Sequence, residues 1–366
     1  MRLGYMRVAF DQQIFTLQRF GGVSRSFVEI SRHLNLLDGV EARVIAPLHF
    51  NKHLYDSSPG SGIYIPKSSD FLDFNKKVRL LGEYLSQLHI NRFKPDLIHE
   101  TFYEPVSLKG SRFPIATTIQ DLIREKIGID KQKMERKKNS IERARLILCI
   151  SESTKRELLE FYNPEPEKVV RVYLGVNESF FSPESTKSIV GKSYILFVGN
   201  RSGYKNWKLL VSAFANSSFL KSEFELICFG GGDFSNDEIS WLNELRISNQ
   251  VKQVKGGDDS LKVYYRAAAC LVYPSEYEGF GLPVVEAMAS HCPVVASDID
   301  VLHESGGIAA RYFESNDMES LKNMLENLLV NDEELSQMRV QGRSHASKFS
   351  WFENAKQTKI AYETLL

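Results

Sequence analysis

The sequence predicts an α/β protein of two Rossmann-like, doubly wound domains, each a parallel sheet with helices on both faces. Three observations carry that reading. Short apolar strands alternate with amphipathic helical segments along the chain. The alternation breaks once, at Ser182–Gly191, into Ser, Pro, Thr and Gly, as a linker would. The length, 366 residues, suits two domains.

In the first half, Arg7–Phe10, Ala42–Ala46, Asp96–Thr101, Ile115–Ile119, Leu146–Ile150 and Val169–Tyr173 read as strands. Ser24–Leu37 sets Phe27, Ile30, Leu34 and Leu37 at helical spacing. Ser153–Tyr162 is a second helix, with Ser151 or Ser153 as its N-cap. The series then restarts with strand Tyr194–Val198, helix Trp207–Ala215, strand Phe224–Phe229 and a helix near Asp237–Arg246. Strand Val251–Val254, helix Asp259–Ala269, strand Cys270–Tyr273, helix Pro283–Ser290 and strand Val294–Ala296 follow. Domains are expected over residues 1–182 and 190–348, with 349–366 forming an amphipathic final helix that opens on Trp351 and Phe352. Ligands of such sheets bind beyond the carboxyl ends of the strands, which in a two-domain arrangement face a cleft.

Composition narrows the class. Apolar residues make up 43% of the chain, enough for buried cores, and no apolar run approaches the ~20 residues of a membrane span. The N-terminus lacks a signal-peptide core, so a cytosolic protein is expected. Cys149, Cys228, Cys270 and Cys292 are scattered in or beside apolar segments and read as core thiols. The net charge of zero conceals a division: residues 1–180 carry 28 Lys+Arg against 22 Asp+Glu, and residues 181–366 carry 18 against 24. Much of the excess sits in Lys131, Lys133, Arg136, Lys137, Lys138, Arg143 and Arg145. That run is either a solvated helix face or a surface that meets anionic lipid headgroups at the inner face of the membrane or a diphosphate-linked lipid acceptor. No nucleic-acid-binding motif accompanies it.

The chemistry concentrates between Glu278 and Glu286 (EGFGLPVVE), where two carboxylates stand eight positions apart. The turn Gly279-Phe280-Gly281 lets backbone approach a ligand closely, and Pro283 suits the first helical position. A helix starting there offers free N–H groups and a partial positive charge to an anion. Glu286 lies about two turns further along. Such a loop suits a ligand with a phosphate and several hydroxyls, as in a sugar nucleotide. Val198–Asn206 (VGNRSGYKN) follows another strand, placing Arg201 and Lys205 where fixed cations would stabilise a leaving diphosphate. Asp298-Ile299-Asp300 reads as a helix N-cap rather than a metal motif. His99, His291 and His303 show no ligand spacing and read as structural.

Tyr273 through Ser297, with loop, proline, both glutamates and the following strand in register, resembles the E-x7-E signature of retaining glycosyltransferase family 4. The resemblance implies a GT-B fold whose last helix crosses back to the N-terminal domain. It implies that Glu278, Arg201 and Lys205 act at the reacting centre, and that Gly279, Phe280, Gly281, Leu282 and Glu286 bind the donor. The Gly21-Gly22 turn looks like the family's diphosphate loop, which assigns Gly22 to the donor and Arg25 to the acceptor or a phosphate. Gln120 and Asp121 fall on the acceptor side, where relatives often carry His-Asp. Glutamine hydrogen-bonds but relays no proton. Val254 and Lys255 are placed against the nucleoside base. Relatives often carry arginine at the positions of Asn200 or Tyr204, so Arg201 supplies that charge from one residue away.

The implied reaction is a metal-independent, retaining hexosyl transfer with no cofactor beyond the nucleotide sugar. A GDP-linked mannose-type or 6-deoxy sugar is the first choice of donor and a UDP-hexose the next. The implied acceptor is a surface polysaccharide or a lipid-linked oligosaccharide. A sugar-nucleotide epimerase, a phosphorylase, or an inactive nucleotide-sugar-binding paralogue are the competing readings.

Overall fold

The uninterrupted apolar run Tyr194–Val198 fits a strand covered on both faces, and every residue of it is buried, as is every residue of Ile115–Ile119 with its two threonines. A computed structural model describes residues 5–57, 62–66, 72–104, 112–182 and 191–366. The chain forms two units, Met1–Gly175 with Trp351–Leu366, and Val176–Ser350.

The first unit contains strands β1 (Met6–Phe10), β2 (Val40–Val44), β3 (Leu48–His49), β4 (Ile63–Tyr64), β5 (Leu97–Glu100), β6 (Ile115–Ile119), β7 (Leu146–Cys149) and β8 (Val169–Arg171). Its helices are α1 (Gln13–Leu17), α2 (Gly22–Leu34), α3 (Lys52–Ser57), α4 (Leu72–Phe93), α5 (Ile123–Ile127), α6 (Lys131–Arg143) and α7 (Glu152–Tyr162). The second unit contains β9 (Tyr194–Val198), β10 (Glu225–Phe229), β11 (Val251–Val254), β12 (Cys270–Tyr273), β13 (Val294–Ser297) and β14 (Arg311–Phe313). Its helices are α8 (Trp207–Ala215), α9 (Ser218–Glu223), α10 (Asn236–Glu244), α11 (Asp258–Ala267), α12 (Leu282–Ala289), α13 (Asp300–Gly306), α14 (Met318–Leu328) and α15 (Asp332–Ala346). The final helix, α16 (Trp351–Glu363), belongs to the first unit.

Each unit has a six-stranded parallel sheet, ordered β2-β1-β5-β6-β7-β8 in the first and β11-β10-β9-β12-β13-β14 in the second. The winding reverses between β1 and β5, and between β9 and β12. Crevices open at such reversals, beyond the strand carboxyl ends. Behind the second sheet, Trp207, Phe214, Leu226, Val251 and Leu325 belong to one buried apolar cluster. All four cysteines are free and buried, and burial raises the pKa of each.

Several expectations need correcting. Residues 176–182, assigned above to the first domain, belong to the second unit. Val176 N–H donates to the Phe349 carbonyl at 2.9 Å, Phe180 is fully buried, and Arg343 Nη2 donates to the Phe181 carbonyl at 2.7 Å. The linker residues 183–190 lie outside the described residues. The basic run is a helix, α6, but most of its charge meets acids of its own unit. Lys137 is buried 2.8 Å from Glu125 Oε1. Arg143 forks onto Glu100 at 2.6 and 2.8 Å, and Arg136 reaches Glu104 at 2.8 Å. Asp298 does not cap α13: it pairs with His303 at 2.6 Å, while Asp300 lies in the helix's first turn.

Candidate active site

At the reversal of the second sheet, the chain leaving β9 meets the chain leaving β12. Gly199, at φ 128°, starts a turn that ends at Lys205. Lys205 Nζ lies 2.5 Å from Glu278 Oε1 and donates to the Tyr273 hydroxyl at 2.7 Å. Both charged side chains are largely buried, so the pair acts through little solvent. Burial, then the Glu278 carboxylate, push the Tyr273 phenol well above its usual pKa, so it stays neutral. Glu276 N–H donates to the Tyr204 carbonyl at 2.8 Å and ties the two loops together.

The glutamate loop ends on Gly281, at φ 88°. A Cβ there would lie 2.7 Å from Leu302 Cδ2, so glycine is required on both conformational and steric grounds. Helix α12 begins at Leu282, one residue earlier than expected, and no side chain caps its N-terminus. Phe280 is buried edge-on against Phe349, anchoring the loop so that its backbone keeps one path. Gly279 precedes it. Glu286 is buried on α12 and accepts from the Tyr265 hydroxyl at 3.4 Å.

Arg201 does not join Lys205. Its side chain is 3% exposed. Its Nε and Nη2 donate to Glu238 at 2.8 and 3.1 Å. The remaining donors reach the carbonyls of Gly230, Gly232 and Asp233 at 2.9 to 3.2 Å. Glu238 also closes the capping box of α10 with Ser235. Burial raises its pKa, but the Arg201 and Ser235 bonds outweigh that and hold it below the usual carboxylate value. Arg201 therefore pins the turn Gly230-Gly231-Gly232, three successive glycines at positive φ. A Cβ on Gly231 would sit 2.9 Å from both the Gly199 carbonyl and Arg201 Nη1, which is how closely the loops after β9 and β10 pack.

Val254 ends β11 with its carbonyl engaged by Gly230 N–H at 3.0 Å and Gln253 Nε2 at 2.9 Å. Lys255 is exposed, its ammonium 2.6 Å from Asp233. In the first unit, α2 starts at Gly22, and Arg25 is half-buried on its first turn. Gln120 follows β6, its N–H on the Tyr103 hydroxyl at 3.1 Å. Asp121 Oδ1 accepts from Ile123 N–H at 3.2 Å, and its carbonyl accepts from Lys137 at 2.7 Å.

Sequence reasoning missed several groups. Tyr273 and Tyr265 complete the Lys205 and Glu286 environments; Tyr273 ends a predicted strand and opens the signature stretch, Tyr265 falls in a predicted helix, and neither was given a role. The three-glycine turn after β10 was visible as a run. Asp11, at the reversal of the first sheet, accepts from Thr101 N–H at 2.9 Å, Thr101 Oγ1 at 2.7 Å and Gln13 Nε2 at 2.6 Å. Burial raises its pKa against these bonds. No spacing rule links Asp11 to Thr101, 90 residues away.

The chain matches the family description Glycosyltransferase Family 4 over residues 20–180 and Glycosyl transferases group 1 over residues 179–345. It belongs to glycosyltransferase family 4. Its relatives include the O-antigen chain mannosyltransferase RfbU of Salmonella typhimurium, 31% identical over 222 residues, 60% of each chain. The O-antigen chain mannosyltransferase B of Escherichia coli is 29% identical over 237 residues, 62% of each chain. The matched stretch thus spans about 60% of the length of these relatives. The fold is the GT-B type. Anabaena HepE, solved with UDP and glucose, shares it with a TM-score of 0.78 at 16% identity, over 98% of this chain and 100% of that one. Sucrose-phosphate synthase from Thermosynechococcus elongatus does so with 0.76 at 20% identity, over 98% and 99%.

Proposed function

We propose that the protein is an enzyme, a retaining glycosyltransferase that moves a hexose from a nucleotide sugar to a polysaccharide or lipid-linked glycan. The observation that carries this reading is the buried Lys205–Glu278–Tyr273 group at the sheet reversal, beside the uncapped N-terminus of α12. Lys205 and that helix end supply positive charge to a diphosphate; Arg201 is withdrawn from this set because it holds the glycine turn. Glu286 takes the ribose hydroxyls. Glu278 and the N–H groups of Gly279–Leu282 orient the sugar. Val254 and Lys255 border the base, and Gly22, Arg25, Gln120 and Asp121 serve the phosphate or acceptor from the first unit.

In the reaction, the bond between the anomeric carbon and the diphosphate oxygen breaks, and its electron pair leaves on the diphosphate. The acceptor hydroxyl forms the new bond on the same face and passes its proton to a diphosphate oxygen. Charge grows on the leaving group as this happens, so a fixed ammonium helps the transition state more than the ground state. Metal independence belongs to the same proposal. A GDP-linked mannose-type sugar is the favoured donor, supported by the mannosyltransferase names of the relatives, with a UDP-hexose second. The site of action is the cytoplasm.

Thermal unfolding with GDP, UDP, ADP and TDP in EDTA tests the site. GDP at a hundredfold excess over Kd should add about 2.7 kcal/mol. Glu286→Ala should lose that shift, and Glu278→Ala should lose transfer. No stabilisation by any nucleotide, or near-wild-type turnover in Glu278→Ala, overturns the reading.

A further inference from the structure

The loop after β9 has two sides. On one, Lys205 meets Glu278 and Tyr273. On the other, Asn200, Arg201 and Ser202 line a second pocket, of about 450 Å³, against Trp207 and Trp241. None of Lys205, Tyr273, Glu278 and Glu286 lines it, so it is separate from the reacting centre, and every residue around it belongs to the second unit. Its volume falls in the range of small-ligand sites.

The walls are fixed before a ligand arrives. Trp207, buried at the start of α8, donates its indole N–H to Cys228 Sγ at 3.1 Å. The half-buried Trp241 of α10 meets it edge-on, ring centroids 5.8 Å apart and planes at 70°, so the two indoles make a corner. Arg201 and Glu238 are spent on each other, on the glycine turn and on the capping box. Asn200, Ser202 and Asp237 are exposed, and among the described residues no protein group bonds their side chains.

These groups choose the ligand class. An apolar ligand would strip water from Asn200, Ser202 and Asp237 without replacing its hydrogen bonds. An anion would face Asp233, Asp237 and Glu238; with Arg201 paired, Lys208 is the cation left among the lining residues to oppose them. A saccharide satisfies both halves. Its C–H faces cover indole, and its hydroxyls, each a donor and an acceptor, pair with carboxylate, amide and hydroxyl.

We infer that the pocket between α8 and α10 binds a neutral glycan segment, against Trp207 and Trp241 with Asn200, Ser202 and Asp237 on its hydroxyls, at a site where no transfer occurs. This goes beyond the proposed reaction and takes from it only that glycans are what the protein handles. A weak second hold of this kind keeps a growing chain on the enzyme between transfers, through effective concentration rather than tight contact.

The test uses the full chain labelled with 5-fluorotryptophan and titrated, without nucleotide sugar, with linear α-mannotriose and with maltotriose. The chain has three tryptophans, and Trp241→Phe assigns the resonance of interest. The Trp241 fluorine signal should shift and saturate with a Kd on the order of millimolar. That of Trp351, in the other unit, should stay. By calorimetry, Trp241→Ala should weaken binding about tenfold or more, and Asp237→Asn about fivefold. Asp237 is exposed, so that variant gives the answer even if removing the indole disturbs folding. Glu286→Ala, or a saturating excess of GDP, should leave saccharide binding within about twofold. No Trp241 shift with either saccharide, or unchanged affinity in Asp237→Asn, overturns the inference. Loss of binding in Glu286→Ala or with GDP also overturns it, by assigning the saccharide to the reacting centre. So does a Trp241 shift caused by GDP or inorganic phosphate in place of the saccharides. Because no sugar transfer enters the assay, failure here leaves the proposed reaction standing, and failure of the nucleotide test leaves this one standing.

Discussion

Arg201 and Lys205 stand on the same loop yet do different work. Arg201 faces inward and gives its guanidinium to Glu238 and three loop carbonyls. Replacing it with alanine leaves a half-buried carboxylate and those carbonyls without donors, which should cost about 2–4 kcal/mol of stability. Turnover per folded molecule should stay within about fivefold, because the missing charge does not face the reacting centre. Lys205→Ala should show the converse, a loss of about 10²–10³ in kcat. Melting curves and kcat on the same preparations check both; equal kcat losses would return Arg201 to the reacting centre. The sequence placed both cations at a strand end, since Gly199 and the turn after it were legible. It did not show which way each side chain points. That depends on Glu238, which only the packing of α10 brings near.

Among the elements, β5 and α16 are joined by one histidine. His99 is fully buried, its ring nitrogens 2.5 Å from the Tyr362 hydroxyl and 2.8 Å from Thr118 Oγ1. Burial lowers its pKa from 6.5 to about 3. Between those values the unfolded chain holds a proton that the folded chain does not. Stability therefore falls as pH drops below 6.5, at no more than about 1.4 kcal/mol per unit, and this contribution is flat above 6.5. His99→Gln should be less stable at pH 7 yet lose less between pH 6.5 and 5. Melting temperatures across that range decide it, and parallel curves would remove His99 as the cause. From Tyr194 to Ala296 the strands and the longer helices of the second unit were legible within a few residues, because each has one buried face or an unbroken apolar run, whereas α9, β14, α14 and α15 were not assigned. Helix α4 was not, because its apolar residues ring the helix and leave no one-sided period. The pair β3 and β4, two residues each, is too short to carry any pattern.

At the scale of the whole molecule, the alternation of strand and helix disclosed two parallel sheets, and the polar break fell close to the boundary. That α16 belongs to the first unit was not legible from periodicity, since an amphipathic helix does not name its partner. Trp351, Ala355, Ala361 and Tyr362 are all buried, and α16 packs on α2. The second unit ends on its own contacts, Val176 with Phe349 and Phe181 with Arg343. A chain stopped after Ser350 should therefore keep the unfolding transition of the second unit and lose or markedly lower that of the first. Calorimetry on the truncated and full chains would show it; identical traces would mean that α16 is dispensable.

The same division sets an order on biosynthesis. The first unit is made of two segments that leave the ribosome before and after the whole of Val176–Ser350. At roughly 5–20 residues per second, its opening segment waits about 9–35 s for the helix that covers it. The second unit, contiguous in the chain, has all its residues available first. The nascent N-terminal segment thus emerges with the α16-facing side of α2 bare, and that side stays open to a chaperone until α16 has been made.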